Sequence, residues 1–322
     1  MSRRRVLALS GGVGGAKLAR GLAAALDPEA LLVVCNTGDD FEHLGLHVSP
    51  DVDSVLYALA DVNDAERGWG RRDESWNFLE TLRQLRPDEA WFQLGDRDLA
   101  THVLRTARLR RGDTLSTVTD ELRRGLGVAC TVAPMSDDLI STVVETDEGD
   151  LPFQEYFVRR RCEPAFRGMR LEGIEGAWPA PLFSQWLEHP DLGAVVICPS
   201  NPYVSVDPIL AVPGALHRIA KSRRRGVPVV AVSPIVGGEA LKGPAAKMLR
   251  ELGHQASALA VARHYTERDL LDGFVLDRAD AALEGAVAEL GVRVLVTDTV
   301  MRSADDSQRL ARELLATFAS SY

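Results

Sequence analysis

The chain has 322 residues, of which 46% are hydrophobic and 26% are charged, and its formal net charge is −9. This composition is typical of a folded globular protein and excludes a mostly disordered chain. The excess of acidic residues argues against general binding to nucleic acid or to an anionic membrane, so we expect neither as a partner. A local basic cleft for an anionic small molecule is compatible with it.

The amino-terminal segment and the cysteines both favour a cytoplasmic protein. The first five residues are charged like the start of a signal peptide, but the apolar run Val6–Leu9 behind them is too short for an export signal. No later stretch has the length of a membrane span. The widely spaced cysteines favour reduced thiols; they are Cys35, Cys130, Cys162 and Cys198. A homodimer is expected only because dimers are common among enzymes.

Short apolar runs alternate with helical patterns toward both ends of the chain. The runs are Val6–Leu9, Leu31–Cys35, Ala194–Cys198, Val227–Val232, Gly273–Leu276 and Val292–Val296. This alternation predicts the α/β class, with a doubly wound, mostly parallel Rossmann-like sheet covered by helices on both faces. We predict a single α/β domain over residues 1–322.

Two internal regions depart from this alternation. From about residue 54 to about residue 127, stretches such as "ESWNFLETLRQL" and "DLATHVLRTARLRRG" carry apolar residues three and four apart, which predicts a helical insertion over the sheet. From about 128 to about 170, alternation and turn residues predict a β-rich segment with a short hairpin at Asp147–Asp150. We predict "LPFQEYFVRRR" within it to be a strand.

A glycine-rich loop, "SGGVGGAK", directly follows the first predicted strand. Its candidate phosphate-binding residues are Gly11, Gly12, Gly14, Gly15 and Lys17. Exposed backbone N–H groups at the start of a helix favour a bound phosphate. Neither G-x-G-x-x-G nor the Gly-Lys-Ser/Thr end of a P-loop is present, so neither nicotinamide nor ordinary ATP binding is predicted. The alternative is a tight turn with Lys17 in solvent.

Four aspartates follow the second predicted strand. Asp39 and Asp40 come directly after it, and Asp51 and Asp53 lie about a dozen residues later. Because neighbouring parallel strands share one crevice at their carboxyl ends, we expect these residues to meet the glycine loop. Mg²⁺ is held by one or two carboxylates together with phosphate oxygens, so we predict Mg²⁺ on Asp39 and Asp53. Asp40 or Asp53 is a candidate proton acceptor, and the alternative is that Asp51 or Asp53 caps the next helix.

The segment "RGWGRRDESWN" combines tryptophans with arginines, and "LGDRDLATH" adds a further arginine. The residues concerned are Arg67, Trp69, Arg71, Arg72, Trp76, Asn77 and Arg97. Flat faces beside cations suit a planar heterocycle that carries phosphate. The alternative is a surface helix with solvated arginines and core tryptophans, and Asp96–Asp98 can equally be an acidic helix start.

Two later turns also follow predicted strands. "CPSNPYVSVDPIL" brings Ser200 and Asn201 to the carboxyl end of a strand, where they can hydrogen-bond a base or a phosphate, although an ordinary Pro/Asn turn is the alternative. "VSPIVGGEALKGPAAK" repeats the glycine-and-lysine pattern with Lys242, which predicts a second place for a phosphate.

Eight blocks in this order resemble the phospholactate transferase family of coenzyme F420 biosynthesis. They are "SGGVGGAK", "NTGDDFEHLGLHVSPDVDSVLY", "RGWGRRDESWN", "LGDRDLATH", "PMSDD", "FQEYFVRR", "PSNPYVSVDPIL" and "VSPIVGGEALKGPAAK". The resemblance covers nearly the whole chain. It implies a transferase that moves a phospholactyl, phosphoenolpyruvyl or related group from a guanosine diphosphate-linked donor to the ribityl hydroxyl of a deazaflavin (Fo), releasing GMP with the help of Mg²⁺.

The resemblance also implies roles for the candidate residues. The donor diphosphate would lie along the glycine loop beside Lys17 or Lys242, and the guanine edge would meet the Ser200–Asn201 turn. The deazaflavin would stack near Trp76; its other expected contacts are Asp53, Asn77 and Arg97. The loop residues Val13, Gly15 and Ala16 resemble the bacterial form of the family motif, which leaves lactate, enolpyruvate and glycerate open as the donor acid.

Two alternative functions are weighed against the transferase. Nucleotide-sugar-binding regulators of the gluconeogenesis-factor type have a similar glycine-rich start, but a regulator has no need of the tryptophan-rich acceptor pocket. A nucleotide-dependent oxidoreductase is suggested by fold alone and lacks the expected fingerprint.

Overall fold

The computed structural model describes residues 4–319. In this range the strands are β1 Arg5–Ser10, β2 Leu31–Cys35, β3 Phe41–His43, β4 Leu46–Val48, β5 Thr131–Pro134, β6 Ser141–Thr146, β7 Gly149–Pro152, β8 Phe166–Glu172, β9 Leu192–Ile197, β10 Val229–Val232, β11 Ile235–Val236, β12 Glu239–Ala240, β13 Gly273–Asp277 and β14 Arg293–Thr297. The α-helices are α1 Gly12–Ala25, α2 Pro50–Leu59, α3 Asn77–Leu85, α4 Asp96–Leu109, α5 Leu115–Gly125, α6 Pro181–Glu188, α7 Asp207–Ala211, α8 Ala215–Arg224, α9 Ala245–Glu251, α10 Ala258–Thr266, α11 Glu284–Ala288 and α12 Ala304–Phe318. Two π-helices span Glu155–Arg159 and Pro202–Val206.

A seven-stranded parallel sheet forms the centre of the fold, in the order β14-β13-β10-β9-β1-β2-β5. Most of its strands are continuous apolar runs because both faces of the sheet are covered. The prediction of a doubly wound parallel sheet built from the six apolar runs is therefore confirmed. The seventh strand, β5, comes from the segment that we predicted to be β-rich within the same domain.

The order of the strands creates a crevice between β1 and β9. From β1 the chain moves outward through β2 to β5, and it then returns to the opposite side of β1 to form β9. The connections leave β1 and β9 in opposite directions, and ligands of doubly wound sheets bind at such a switch point, beyond the carboxyl ends of the strands. The segments that follow β1, β2 and β9 therefore meet at one edge.

Two apolar clusters cover the two faces of the sheet. Successive side chains of a strand point to opposite faces, so Val6 and Ala8 of β1 join one cluster while Leu7 and Leu9 join the other. The first cluster includes side chains of α1, α2, α5 and α12, and the second includes side chains of α6, α8 and α10. Helices α1 and α12 pack closely at Gly21, where a Cβ would lie 2.0 Å from the Ser307 carbonyl oxygen.

Strands β7, β6 and β8 form a small antiparallel sheet. The predicted hairpin is present, because β6 ends at Thr146 and β7 begins at Gly149. The prediction of a strand over "LPFQEYFVRRR" is confirmed only for its first two residues, Leu151 and Pro152, which belong to β7. It is wrong for the remainder, which contains the π-helix Glu155–Arg159. Phe153, Tyr156 and Phe157 are spaced three and four residues apart, which places them on one side of a helical turn.

The region predicted as a helical insertion contains most of α2 and all of α3, α4 and α5. The ends of the predicted domain, residues 1–3 and 320–322, lie outside the described residues. Across residues 4–319, no helix combines the length and the apolar character that crossing a membrane requires.

Candidate active site

The glycine loop is tied to the two segments on either side of it. The Gly11 N–H donates to Ser200 Oγ at 3.1 Å, and the Gly12 N–H donates to Asp51 Oδ1 at 2.6 Å. Val13 and Gly14 come next in α1 and are partly exposed. Because the first N–H groups of a helix have no partner within it, this end of α1 presents donors to an anion in the crevice.

Two of the glycines are needed for close packing. A Cβ on Gly14 would lie 2.3 Å from the carbonyl oxygen of Pro199, and one on Gly15 would lie 2.6 Å from Ser200 Oγ. Both contacts are shorter than real Cβ atoms make, so a side chain at either position would push α1 away from the turn after β9. Gly12 serves differently, since its φ of +64° is a conformation that glycine adopts without strain.

Asp51 links the glycine loop to the end of β2. Its Oδ1 accepts from the Gly12 N–H, and its Oδ2 accepts from Asn36 Nδ2 at 3.0 Å. Burial raises the pKa of Asp51 to about 6, although these two hydrogen bonds act in the opposite direction. The alternative that Asp51 or Asp53 caps α2 is wrong, since the cap position is Ser49 and neither carboxylate bonds to the start of that helix.

Asp39 is a buried carboxylate with one oxygen that has no hydrogen-bond partner among the described residues. Burial and the nearby charge of Asp51 raise the pKa of Asp39 well above its ordinary value, and Asp40 adds to the effect. Its backbone carbonyl accepts from Gln154 Nε2 at 3.2 Å. Neighbouring carboxylates with an unpartnered oxygen fit a divalent cation, which would relieve their repulsion.

Asp40 points to a different set of partners. Its Oδ2 accepts from Ser49 Oγ at 2.7 Å and lies 3.1 Å from His47 Nε2 on β4. Burial raises the pKa of Asp40, and the bond to His47 opposes that rise. The side chain of Asp40 is therefore held by the hairpin of β3 and β4 and by the residue before α2.

Asp53 faces α4. Arg105 on α4 donates from Nη1 to Oδ2 of Asp53 at 3.1 Å and from Nη2 to Oδ1. Arg105 is fully buried and Asp53 is 5% exposed. Each carboxylate oxygen has two lone pairs, so this pairing leaves acceptor capacity for a cation.

Two lysines, Lys17 and Lys242, lie near enough to each other to interact electrostatically. Lys17 Nζ, on α1, donates to the carbonyl of Met301 at 2.9 Å. Burial lowers the pKa of Lys17, and the charge of Lys242 lowers it further. Lys242 lies against Gly68, since a Cβ built on Gly68 would be 3.3 Å from Lys242 Nζ. Two ammonium groups that repel each other favour an anion between them.

The turn after β9 is held by its own side chains. Ser200 Oγ accepts from Gly11, and Asn201 Oδ1 accepts from the N–H groups of Tyr203 at 3.0 Å and Val204 at 3.4 Å. The Pro/Asn turn that we considered as the alternative is therefore present. The role of Ser200 and Asn201 toward a base or a phosphate stays a prediction.

The tryptophan-rich segment folds around Arg67. The Arg67 guanidinium lies 5.3 Å from the ring centroid of Trp69 and 4.8 Å from that of Trp76. Arg67 also donates from Nε to Asp64 at 2.9 Å. Trp69 is 41% exposed, so the pair of rings offers an apolar surface to a ligand.

Asn77 and Arg97 belong to two helix starts that cap each other. Asp96, the first residue of α4, accepts from Asn77 Nδ2 at 2.8 Å and from the Asn77 N–H at 3.2 Å. Glu74, before α3, accepts from the Arg97 N–H at 2.8 Å. The tryptophan segment is thus fastened to α4, and the Arg97 side chain is left exposed. An acidic start of α4 is confirmed.

Comparison with known proteins decides the family. The sequence matches the family described as 2-phospho-L-lactate transferase CofD over residues 6–312. The chain belongs to the CofD family. It is 43% identical over 313 residues to a 2-phospho-L-lactate transferase of Methanopyrus kandleri, covering 97% of this chain and 96% of that one. It is 41% identical over 315 residues to a phosphoenolpyruvate transferase of Streptomyces griseus, covering 97% of both chains. The family consists of transferases of coenzyme F420 biosynthesis, as the resemblance indicated.

A solved structure confirms the fold of this CofD-family chain. A protein of the UPF0052 family from Bacillus halodurans superposes with a TM-score of 0.61 and 17% identity, covering 98% of this chain and 99% of that chain. At this level of identity the likeness shows a shared α/β fold and carries nothing about substrates.

Sequence reasoning missed three polar residues of the CofD-family site, which are Asn36, His102 and Arg105. All three are buried. A signal for the last two was present in "DLATHVLRTARL", because Asp98, His102 and Arg105 are spaced four and three residues apart and therefore share one helix face with Thr101. In an amphipathic helix the polar face normally faces solvent, so this spacing alone did not indicate that the residues are buried.

The raised pKa values predict an unusual pH dependence of stability in a buffer free of divalent cations. The pKa of Asp51 rises from 3.8 to about 6 on folding, so between these values the folded protein holds a proton that the unfolded chain has lost. This contribution is complete below pH 3.8 and is lost as the pH rises through about 6, by on the order of 3 kcal/mol.

Thermal unfolding followed by circular dichroism at pH 5.0 and 7.5, with chelator, tests this. We expect a higher Tm at pH 5.0, and we expect Mg²⁺ to raise the Tm at pH 7.5 more than at pH 5.0. A Tm in chelator that is higher at pH 7.5 than at pH 5.0 would contradict the conclusion that folding raises the pKa of Asp39 and Asp51.

Proposed function

We propose that this CofD-family transferase moves a phospholactyl-type group, from phospholactate, phosphoenolpyruvate or phosphoglycerate, to the ribityl hydroxyl of the deazaflavin Fo. The donor would be the guanosine diphosphate-linked form of the acid, and GMP would be released. One observation carries the proposal above the others: Asp51 joins the glycine loop of α1 to Asn36 after β2, near Asp39, whose carboxylate has one unpartnered oxygen. This arrangement supports a phosphate site and a cation site that lie next to each other.

The donor diphosphate would bind along the start of α1. Free N–H groups at this helix end, together with the positive end of the helix dipole, favour the phosphates. Lys17 and Lys242 repel each other, which supports their binding the same anion. The guanine is expected at the turn of Ser200 and Asn201, which adjoins the loop through the Gly11 hydrogen bond.

Mg²⁺ is proposed between Asp39 and Asp53, the carboxylates predicted from the sequence. Among residues 4–319, no group of three or more acidic, histidine or cysteine side chains is arranged to hold a metal, and Mg²⁺ in phosphoryl-transfer sites needs only one or two carboxylates besides substrate oxygens and water. When bound, the ion would offset phosphate charge and favour ionisation of the attacking hydroxyl. Asp51 remains the link to the glycine loop.

The chain's own residues would position the reacting groups. The loop and the lysines hold the donor so that the hydroxyl of the acceptor can attack, in line, the phosphorus that carries the small acid, and GMP leaves with the broken P–O bond. Such chemistry depends on positioning and on stabilising the charge that spreads over the phosphate oxygens. Asp40 or Asp53 would accept the hydroxyl proton; the hydrogen bonds of Asp40 to Ser49 and His47 fix its orientation.

The acceptor is expected to stack beside Trp76, within reach of Asn77, Arg97 and Asp53. Replacing the indole by a methyl group in Trp76→Ala should raise the Kd for Fo about tenfold, because stacking on an aromatic face contributes on the order of 1–2 kcal/mol. The Kd for GDP should not change. Fluorescence titration of Fo measures the first value and calorimetry the second.

Trp178→Ala is the control for this variant, since Trp178 is an exposed tryptophan of a different loop, whereas Trp76 is half-buried. We expect it to bind Fo as the unchanged protein does. Equal losses in both variants, or an unchanged Kd for Trp76→Ala, would remove the acceptor from the tryptophan segment.

The transferase proposal is tested by titrating the purified protein with Fo and then adding Mg²⁺ and each guanylylated acid while following GMP by chromatography. Donor-dependent GMP release with formation of the phosphodiester of Fo is the expected result, and it identifies the acid. Absence of Fo binding together with tight binding of a nucleotide sugar would replace the proposal by a regulator of the gluconeogenesis-factor type.

A further inference from the structure

Helices α2 and α4 meet through a buried polar face. The residues that form it are Asp53 and Tyr57 of α2 and Asp98, Thr101, His102 and Arg105 of α4. The members on each helix are three or four residues apart, so they lie on one side of it. Arg105 is 0% exposed, which is rare for arginine and requires that its charge be compensated.

Arg105 fixes the carboxylate of Asp53 in two directions. Its two terminal nitrogens donate to the two carboxylate oxygens, a fork that sets both the position and the plane of the group. The same Nη1 lies 3.2 Å from His102 Nδ1, and this ring nitrogen is 3.7 Å from Asp53 Oδ2. His102 Nε2 lies 3.3 Å from Asp98 Oδ1. The guanidinium is thus braced within its own helix.

Asp98 is fixed in turn by α2. The Tyr57 hydroxyl donates to Asp98 Oδ1 at 2.6 Å and lies 2.9 Å from Thr101 Oγ1. The charge of Arg105 also acts on Asp40 and Asp98, favouring their ionised forms. The Arg105 guanidinium therefore interacts electrostatically with several buried carboxylates.

Stability alone is a poor explanation for this arrangement. A buried ion pair loses as much in desolvation as it gains in attraction, and an apolar pair of similar volume often stabilises a helix contact better. Arg105 interacts electrostatically with Asp40 as well as with Asp53, and Asp40 directly follows Asp39, where a cation is proposed. The lone pairs of Asp53 that Arg105 leaves free remain available to such a cation.

We infer that Arg105 is a positioning residue that orients the Asp53 carboxylate toward the divalent cation of the reaction. The inference rests on the proposed function, because it assigns a role toward the cation proposed there. Arg105 does not touch substrate; it acts through Asp53, with His102 and Asp98 holding it in place.

The test compares Arg105→Lys and Arg105→Met with the unchanged protein by binding of Mn²⁺. Free Mn²⁺ is counted by electron paramagnetic resonance in the presence of GDP, so the readout does not depend on turnover. Lysine keeps the charge but lacks the planar fork. Loss of a group that orients a metal ligand typically weakens metal binding 10- to 100-fold, and we expect about this loss in both variants, with Tm and folded circular dichroism retained in Arg105→Lys.

Arg223→Met is the matched control. Arg223 also pairs with one carboxylate through two nitrogens, at 3.0 and 2.9 Å from Asp272, but at α8. The Arg223→Met variant should have a lower Tm and unchanged Mn²⁺ binding. If Arg105→Met does not fold, two other variants decide the question. They are Arg105→Lys and His102→Gln, and the second leaves the ion pair of Arg105 with Asp53 but removes the imidazole ring beside it.

Mn²⁺ affinities in Arg105→Lys and His102→Gln equal to that of the unchanged protein would overturn the inference. The proposed function fails on a different observation, since it requires GMP release by the unchanged protein. A protein that binds Mn²⁺ but releases no GMP would end the transferase proposal while the Mn²⁺ comparison still decides the role of Arg105.

Discussion

Asp39→Asn should reduce turnover by about 10²- to 10³-fold and at the same time make the protein more stable. The loss follows from removal of a charge that a cation and the reacting phosphate require, an effect typical of losing one electrostatic element of a site. The gain follows from the environment of Asp39, whose pKa is raised by burial and by Asp51. A neutral amide avoids both penalties, which predicts a Tm higher by roughly 2–4 °C for each kcal/mol gained.

The Tm of the unchanged protein and of Asp39→Asn is measured in chelator at pH 7.5. Turnover of both proteins is then recorded in Mg²⁺. Asp138→Asn serves as the control, because Asp138 accepts from the Trp178 N–H at 2.8 Å on a loop outside the glycine cradle. It should leave turnover unchanged. An Asp39→Asn protein that retains turnover would show that Asp39 neither binds the cation nor touches the substrate. If the Asp39→Asn protein also had a lower Tm, other groups of the folded protein would have to stabilise the charge of the Asp39 carboxylate.

The opposite signs of these two effects indicate what the crevice is built for. Asp39, Asp40 and Asp51 are each about 95% buried, and folding keeps them together although burial raises the pKa of all three. Charges held this way destabilise the empty site and favour binding of a cation. A gain of stability on neutralising Asp39 is therefore expected of a site that works only when loaded.

The central sheet could be predicted from local patterns because parallel strands covered on both faces are continuous apolar runs. The runs at Val6–Leu9 and Leu31–Cys35 need no knowledge of their neighbours to be identified as strands. The pairing of strand β5 with the central sheet could not be predicted because its four residues carry no sign of which sheet they join. The π-helix at Glu155–Arg159 was missed because short amphipathic segments fit both strand and helix.

Only those features of the site that follow from the order of the parallel strands could be predicted. Loops after neighbouring parallel strands meet, so the glycine loop, Asp39 and Ser200 were expected at one edge. The partner of Asp53 was not, because Arg105 is 52 positions away and the pairing depends on how α4 packs on α2. Asp51 likewise binds the start of α1 rather than its own helix, a choice set by the packing of α1 against α2.

Gly14→Ala should lower kcat/KM for the donor by about 10²-fold with a smaller loss of stability. The new methyl group would lie 2.3 Å from the carbonyl oxygen of Pro199, which is backbone and cannot rotate away. Either the start of α1 or the turn after β9 must therefore shift, and the hydrogen bond from Gly11 to Ser200 joins these two segments. A displacement of about 1 Å in a group that positions a phosphate is enough for a loss of this size.

Gly21→Ala separates this effect from general damage to α1. Its methyl group would lie 2.0 Å from the Ser307 carbonyl oxygen, a comparable overlap in the same helix but against α12. Overpacking of this kind typically costs about 1–3 kcal/mol, so we expect both variants to lose stability. Only Gly14→Ala should lose affinity for the donor, measured as KM in turnover and as Kd for GDP by calorimetry. Equal loss of donor affinity in both would mean that the glycines serve only the packing of α1, whereas a selective loss in Gly14→Ala ties donor binding to the contact between α1 and the turn after β9.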